Sequence, residues 1–276
     1  MSSDADGSVR LMCGIAGYSL SPDSSVERTL AAQALLAGIA ERGADAVGYA
    51  YRDRQGTVSV TKLRGGASGL LDELELPRTA FQALIHTRDH TKGHPDVEAN
   101  NHPIRHGSVI GVHNGVIEND DELLMRYEIE RHEPEMTVDS EAIFALMDER
   151  RNEPRILGEL RGTMAAAWLD EREPERLYLA RGIRRPLWTG QAAGDLFFAS
   201  TRRALTILEA ALQLRLRVRE VREGRLMHVV SGEIERTRRF RPDRSYREPE
   251  IVPPVHSPYE AVTCLIQLAD LAAPAA

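Results

Sequence analysis

Apolar residues recur along the chain in two patterns, short continuous runs and helix-like spacings, and their alternation predicts the elements. A strand is expected from Met12, in the run "MCGIAGY". Val26 to Glu41 reads as a helix, with Leu30, Leu35 and Ile39 near one face and Gly43 as its terminator. Strands follow around Val47–Arg52 and Thr57–Leu63, joined by the turn "DRQG", and "LRGGASG" reads as a glycine-rich loop. Ala83–His86 and Ser108–His113 read as buried strands that bracket a long polar loop. Asp120–Glu130 and Ser140–Arg150 read as helices. From Met164 onward short strands come at close spacing, "MAAAWLD", "RLYLAR", "PLWTG" and "DLFFAS". After a helix near Arg202–Leu212 come "LRLRVREV", "RLMHVV" and "EIERTRR". "REPEIVPPVHSP" reads as a linker to a last helix, about Tyr259–Leu271, apolar on more than one side. Many strands with helices clustered between them predict layered sheets covered by helices.

Composition narrows the function class. The chain has 276 residues, 42% of them hydrophobic, which suits a folded core rather than disorder. No apolar run approaches the roughly 20 residues of a membrane span, and the first residues lack the basic and apolar regions of a secretory signal. Two cysteines, Cys13 and Cys264, exclude a disulfide scaffold and fit a reducing, cytoplasmic setting. The net charge of −7 gives no general reason to expect nucleic acid. Residues 202–247 do hold thirteen Arg against six Asp and Glu, but no aromatic residues interleave the arginines, so exposed strand faces are expected there. Six of the nine histidines fall between His86 and His113. The pairs His90/His94 and His102/His106 have i,i+4 spacing, which converges on a metal only in a helix. Gly93, Pro95 and Pro103 argue against one, so no metal is expected. Cys264 reads as a packed helix residue.

A cysteine in an apolar strand is ordinarily a small buried hydrophobe. The neighbours of Cys13 change that reading. Gly14 and Gly17 remove side-chain bulk beside it, as if something approaches the backbone closely. Then come, in order, "ERGADAVGYA", "HTRDHTKG", "NNHPIRHGSVIGVHNGVIEN" and "TVDSEAI". Together with "CGIAGY" these resemble the glutaminase domain of class II glutamine amidotransferases, a family of N-terminal-nucleophile hydrolases. The likeness is greater to the amide-hydrolysing half of glucosamine-6-phosphate synthase than to phosphoribosylpyrophosphate amidotransferase. It covers about residues 12–240, and "LRGTMAAAWLD" and "FFASTRRAL" extend it.

The resemblance implies an α+β fold, a four-layer αββα sandwich of Ntn-hydrolase type. It implies hydrolysis of L-glutamine to glutamate and ammonia through a γ-glutamyl thioester on Cys13, with no metal or organic cofactor. The thiol would pass its proton to the cysteine's own α-amine, whose pKa near 8 suits that task. Asn114 and Gly115 match the oxyanion hole, although Asn-Gly is also a common turn. Arg88 matches the clamp for the substrate α-carboxylate, a job that suits a guanidinium fork. Thr91 matches a neighbouring hydroxyl. Asp139 matches the carboxylate that receives the α-ammonium, and it also precedes a helical run, where Asp is favoured in its own right. Arg42-Gly43 matches a turn beside the nucleophile. Two positions depart from the pattern. Asp89 stands where relatives carry an aromatic residue that helps gate the ammonia path, and Lys92 stands where glucosamine-6-phosphate synthase has His.

The expected organisation is a leader or propeptide over 1–11, the amidotransferase domain over 12–247, and a linker with a C-terminal helix over 248–276. For Cys13 to present a free amine, residues 1–12 must be absent from the active enzyme. Either translation starts at Met12 or the segment is cut off. Nothing resembles a synthase half, so ammonia would pass to a separate ammonia-accepting synthase. The alternatives are a free-standing γ-glutamyl amidohydrolase acting on another γ-glutamyl amide, and a non-catalytic regulatory domain. No nucleic-acid or membrane partner is expected.

Overall fold

The computed structural model describes residues 13–248 and 256–272. The expected leader and most of the expected linker lie outside those residues. The chain opens with β1 (Gly14–Ser19), α1 (Arg28–Ile39), β2 (Ala46–Arg52), β3 (Val58–Arg64), the one-turn α2 (Ser68–Leu71) and β4 (Gln82–Arg88). Then come β5 (Ile104–His106), β6 (Val109–Ile117), α3 (Asp120–Arg126), α4 (Glu141–Glu149), β7 (Gly162–Asp170) and β8 (Arg176–Arg181). The remainder is β9 (Trp188–Ala192), β10 (Asp195–Ala199), α5 (Arg202–Leu212), β11 (Arg217–Glu220), β12 (Arg225–Val230), β13 (Glu233–Arg239) and α6 (Pro258–Ala272).

The strands form two sheets, ordered β11-β9-β10-β1-β4-β2-β3 and β13-β12-β8-β7-β6-β5. Every pairing in both is antiparallel. One apolar layer, with Ile15, Leu84, Ile110, Val112, Ala165 and Phe198, fills the space between the sheets. A second, with Leu35, Leu36, Ile85, Phe197 and Leu205, joins α1 and α5 to the outer face of the first sheet. A third, with Phe144, Met147, Trp168 and Tyr178, joins α4 to the second. This is the four-layer αββα sandwich. Among the described residues no helix is long and apolar enough to cross a membrane.

The departures from sequence expectation have local causes. Helix α1 is not amphipathic. Ala31 through Ile39 are all buried, because α5 and α6 cover the sides that the sheet does not. Gly38 lets α1 and α5 touch, since a Cβ there would stand 2.6 Å from Ala204 Cα. Gly43 does not end the helix by a left-handed turn. Its φ is 173°, an extended value open to any residue, and a short 3-10 turn over Ala40–Arg42 precedes it. Glycine is required there because a Cβ would lie 2.4 Å from the Arg88 carbonyl carbon. The strand expected to end at His113 runs on through Asn114-Gly115 to Ile117, because Asn114 and Gly115 pair with Ala165 and Met164 of β7. The helix expected over Asp120–Glu130 stops at Arg126, with Glu128 left-handed at φ 54°. The arginine-rich segment forms exposed strand faces, as in β13. Cys264 is fully buried in α6.

Strand β1 lies between β10 and β4 at the middle of the first sheet, and it can do so only while Gly17 has no side chain. A Cβ there would sit 2.0 Å from Ala83 O and 2.6 Å from the Phe198 ring. Gly17→Ala is therefore expected to cost at least about 1–3 kcal/mol through overpacking, read from chemical denaturation. An unchanged denaturation midpoint would show that the β1–β4 contact is looser than described here.

Candidate active site

Gly14 pairs with Thr87, so one residue earlier in the same register Cys13 falls opposite Arg88 at the end of β4. The Cys13 thiol donates to the Asp89 carbonyl at 3.4 Å. Across the inter-sheet layer, β6 presents Asn114 and Gly115. The two sheets are tied at this level by His86 on β4, whose Nε2 lies 3.1 Å from the His113 carbonyl. Cys13, Arg88 and Asp139 are close enough to act on one another electrostatically.

Asn114 is completely buried, yet among the described residues neither its Nδ2 nor its Oδ1 has a hydrogen-bond partner. An orphaned buried amide costs about 1–3 kcal/mol, so a folded protein rarely keeps one without a use for it. Gly115 has φ +146°, and a Cβ would stand 1.9 Å from Thr163 O, so no other residue fits. The ring of His113 fixes the peptide before Asn114. Its Nε2 lies 3.3 Å from Thr163 O and its Nδ1 2.8 Å from Ser140 Oγ. Because a carbonyl can only accept, Nε2 carries the proton and Ser140 donates to Nδ1.

Arg88 is buried and already occupied. Its guanidinium donates to Lys92 O at 3.0 Å, to Gly93 O and to Asn101 Oδ1. A ligand carboxylate would compete with the two loop carbonyls. Asp139 is buried, and its Oδ2 accepts the Ile117 backbone N–H at 2.6 Å. It therefore ties the start of α4 to β6 and does not cap the helix, whose N-terminus has no side-chain cap bond. Thr91 is the outlier, exposed on the loop beyond Arg88. Lys92 turns outward to Asp120 (2.6 Å) and Asp121 (2.8 Å). The Asp89 side chain is buried with its Oδ2 3.4 Å from His256 Nδ1. Arg42 is buried beside the thiol, and Gly43 packs on the Arg88–Asp89 peptide.

Burial pushes the Cys13 thiol up to about 11. The Asp89 carbonyl and Arg88 oppose that shift, while the Asp89 and Asp139 carboxylates add to it. The thiol is thus protonated at neutral pH and needs a base in order to attack. Burial holds His86 and His113 down at about 3, so both are neutral and both are poor proton acceptors. Burial raises Asp89 to about 7 and Asp139 to about 6. The histidine pairs that shared i,i+4 spacing have separate tasks. His90 binds Asp45, His94 faces Asp96, His102 stacks on His86 and His106 binds Glu141. Among the described residues no three His, Cys, Asp or Glu side chains converge as a metal site.

Sequence reasoning missed the bracing residues. Asn100 Oδ1 accepts from the Thr137 and Val138 N–H groups, at 2.7 and 3.0 Å, and so aims Asp139. Asn101 orients Arg88. Asp45 holds the His90 N–H at 2.9 Å while its own N–H binds Arg88 O. The "NN" pair was visible next to "HP", but a neutral amide carries no signal of what it will brace.

The raised Asp139 makes a stability prediction. A carboxyl whose folded pKa exceeds its unfolded value opposes folding once it must ionise, so this cost is absent below about pH 4 and complete above about 6. Asp139→Asn keeps an acceptor for Ile117 N–H and removes that cost. The variant is expected to gain about 1–3 kcal/mol at pH 8, with the gain vanishing near pH 4, followed by denaturant titration. A variant no more stable than wild type at pH 8 would contradict the assignment of a buried, ionised Asp139.

Comparison with known proteins agrees with this geometry. Residues 86–207 match the family profile described as "Glutamine amidotransferase domain". Glutamine–fructose-6-phosphate aminotransferase (isomerizing) of Aliivibrio fischeri is 30% identical over 235 residues, covering 81% of this chain and 36% of that protein. The protein of the same name from Yersinia pseudotuberculosis is 31% identical over 206 residues, covering 70% of this chain and 32% of that protein. The chain thus spans about a third of the length of the curated relatives it matches. Glutamine phosphoribosylpyrophosphate amidotransferase from B. subtilis, complexed with ADP and GMP, superimposes with a TM-score of 0.65 at 20% identity, over 82% of this chain and 49% of that one, and so shares the fold. The motifs, the αββα sandwich and these relatives agree, and the chain belongs to the class II glutamine amidotransferases.

Proposed function

We propose that this chain hydrolyses the side-chain amide of L-glutamine, with Cys13 as nucleophile. The observation that carries the reading is the buried amide of Asn114, without a partner among the described residues, in the layer that faces the Cys13 strand. Attack of sulfur on the amide carbon places negative charge on the carbonyl oxygen. A donor already desolvated and fixed in place meets that charge without reorganising. The Gly115 N–H, on backbone that only glycine can adopt, is the second donor. Collapse of the tetrahedral adduct breaks the C–N bond, and the leaving nitrogen takes a proton and departs as ammonia. A γ-glutamyl thioester stays on Cys13, and water then releases glutamate.

Arg88 is the carboxylate clamp in this reading, once substrate replaces the Lys92 and Gly93 carbonyls. Asp139 receives the α-ammonium, whose charge would favour the ionised form of this otherwise raised carboxyl. Thr91, exposed in this structure, would contact substrate only after the 91–94 segment moves inward. The thiol's proton goes to the α-amine of Cys13 itself. The neutral, hydrogen-bonded state of His86 and His113 supports that choice, since neither can serve as the base. The amine is free only in a chain that begins at Cys13, so residues 1–12 would be removed or never made. The relatives this chain matches are named as glutamine-dependent aminotransferases, which supports a synthase as the acceptor of the ammonia.

The test is release of ammonia and glutamate by purified protein, with other γ-glutamyl amides beside glutamine. Cys13→Ala is expected to abolish turnover with the fold intact by circular dichroism. Asn114→Ala should lower kcat by roughly 10²–10³. Wild-type turnover in Cys13→Ala would overturn the mechanism, and turnover confined to another amide would favour the free-standing amidohydrolase. The intact mass of active protein should correspond to a chain starting at Cys13. Full activity with residues 1–12 still attached would eliminate the amine as base.

A further inference from the structure

The C-terminal segment is fastened to the domain at both ends of residues 249–255. On one side Glu248 pairs with the buried Arg185, whose charge is felt at His113 and Arg42. On the other, the N–H groups of His256 and Ser257 both donate to Glu41 O, at 2.9 and 3.0 Å, and the His256 ring faces the Asp89 carboxylate. Helix α6 then packs Ala261, Cys264 and Leu268 into the layer that also buries α1. Glu260 accepts from Ser68 N and Ser68 Oγ at 2.9 and 3.1 Å, and Gly66 leaves no room between them for a Cβ. His256 is therefore held in place by its own backbone and by a docked helix.

Asp89 is the residue it reaches. Three constraints meet on Asp89. Its carbonyl accepts the Cys13 thiol, its backbone presses against Gly43, and its buried carboxylate, whose Oδ2 has no hydrogen-bond partner among the described residues, stands 3.4 Å from His256 Nδ1. Burial and Asp45 disfavour the ionised carboxylate, and His90 offsets them only in part, since the group stays raised to about 7. Asp45 repels it, and His90 is engaged by Asp45 at 2.6 Å. Glu41 is paired with Arg203, and Arg42 sits near the thiol. Without an imidazole opposite, a buried carboxyl must either keep its proton or turn toward water. Turning would drag the peptide whose carbonyl holds the sulfur.

We propose that His256 is a positioning residue for Cys13, acting through Asp89, and that the C-terminal segment is thereby part of the active centre. Asp89 is then the docking point for His256. The proposal rests on the reading of Cys13 as nucleophile.

The test uses the full chain with His256→Ala, His256→Asn and, as a control away from the thiol, Gln267→Ala, which loses only the bonds of α6 to Ser68 and Asp72. Asn places an amide nitrogen near the position of His Nδ1. Two readouts are taken: kcat and KM for glutamine, and the iodoacetamide alkylation rate of Cys13, separated from Cys264 by peptide mass spectrometry. His256→Ala is expected to lower kcat by roughly ten- to a hundredfold with KM within about twofold, and to slow Cys13 alkylation. His256→Asn should recover most of both, and Gln267→Ala should match wild type. Wild-type kcat and alkylation in His256→Ala would overturn the proposal. So would a His256→Asn variant as impaired as His256→Ala, which would indicate a general packing defect. Failure of the functional reading is separable, because wild-type protein would then release no ammonia while alkylation still reports whether His256 controls the thiol.

Discussion

A desolvated thiol keeps its proton. Cys13 is half-buried in the crevice where β1 faces β6, and desolvation around its sulfur raises the thiol to about 11, far from its reactive form. The surrounding groups only partly offset this. Arg88 and the Asp89 carbonyl favour the thiolate, while two nearby carboxylates oppose it. A base must therefore act at the moment of attack. His86 on β4 and His113 on β6 are themselves desolvated to neutrality and are bonded to carbonyls. The proposed mechanism places the base on the nucleophile's own backbone nitrogen, where an amine needs no second side chain in the crevice.

The sandwich exists in service of that crevice. Glycines at 14, 17, 43 and 115 each stand where a Cβ would strike backbone or side chain within 3 Å; the first three let β1 and the 43–45 turn approach β4, and Gly115 lets β6 approach β7. The polar groups so enclosed divide into two sets. His113, Asn100, Asn101 and Asp45 are satisfied and hold the frame. The Asn114 amide, His86 Nδ1, Asp89 Oδ2 and both His102 nitrogens have no hydrogen-bond partner among the described residues, and of these Asn114 is the donor that the proposed mechanism uses. Stability is sacrificed at Asn114 and Asp139, the two positions where the reaction would place charge.

Much of this was legible in the residues themselves. Motif order carried the family, and short apolar runs gave most strands, because a strand buried on both faces is continuous in sequence. What misled was context. α1 looked amphipathic because sequence shows no neighbours, and only α5 and α6 make its other faces apolar surroundings. Gly43 looked like a helix cap because glycine has two uses, backbone freedom and absence of bulk, and here the second applies. The strand reads as ending at His113 because the β7 partner of Asn114 and Gly115 lies about 50 residues downstream and leaves no local sign. Asp89 looked like a missing gate, since its counterpart His256 is more than 160 residues away in sequence and no local pattern links them.

The central claim is that Cys13 forms the covalent bond to a glutamyl group inside this crevice. A diazoketone analogue of glutamine places an electrophilic carbon where the amide would sit and alkylates a positioned thiolate. Peptide mapping after inactivation should find one label per chain, on Cys13, slowed by excess glutamine and lost in Arg88→Ala at low reagent concentration. A label on Cys264 or elsewhere, or full amide hydrolysis by protein already labelled on Cys13, would contradict the account.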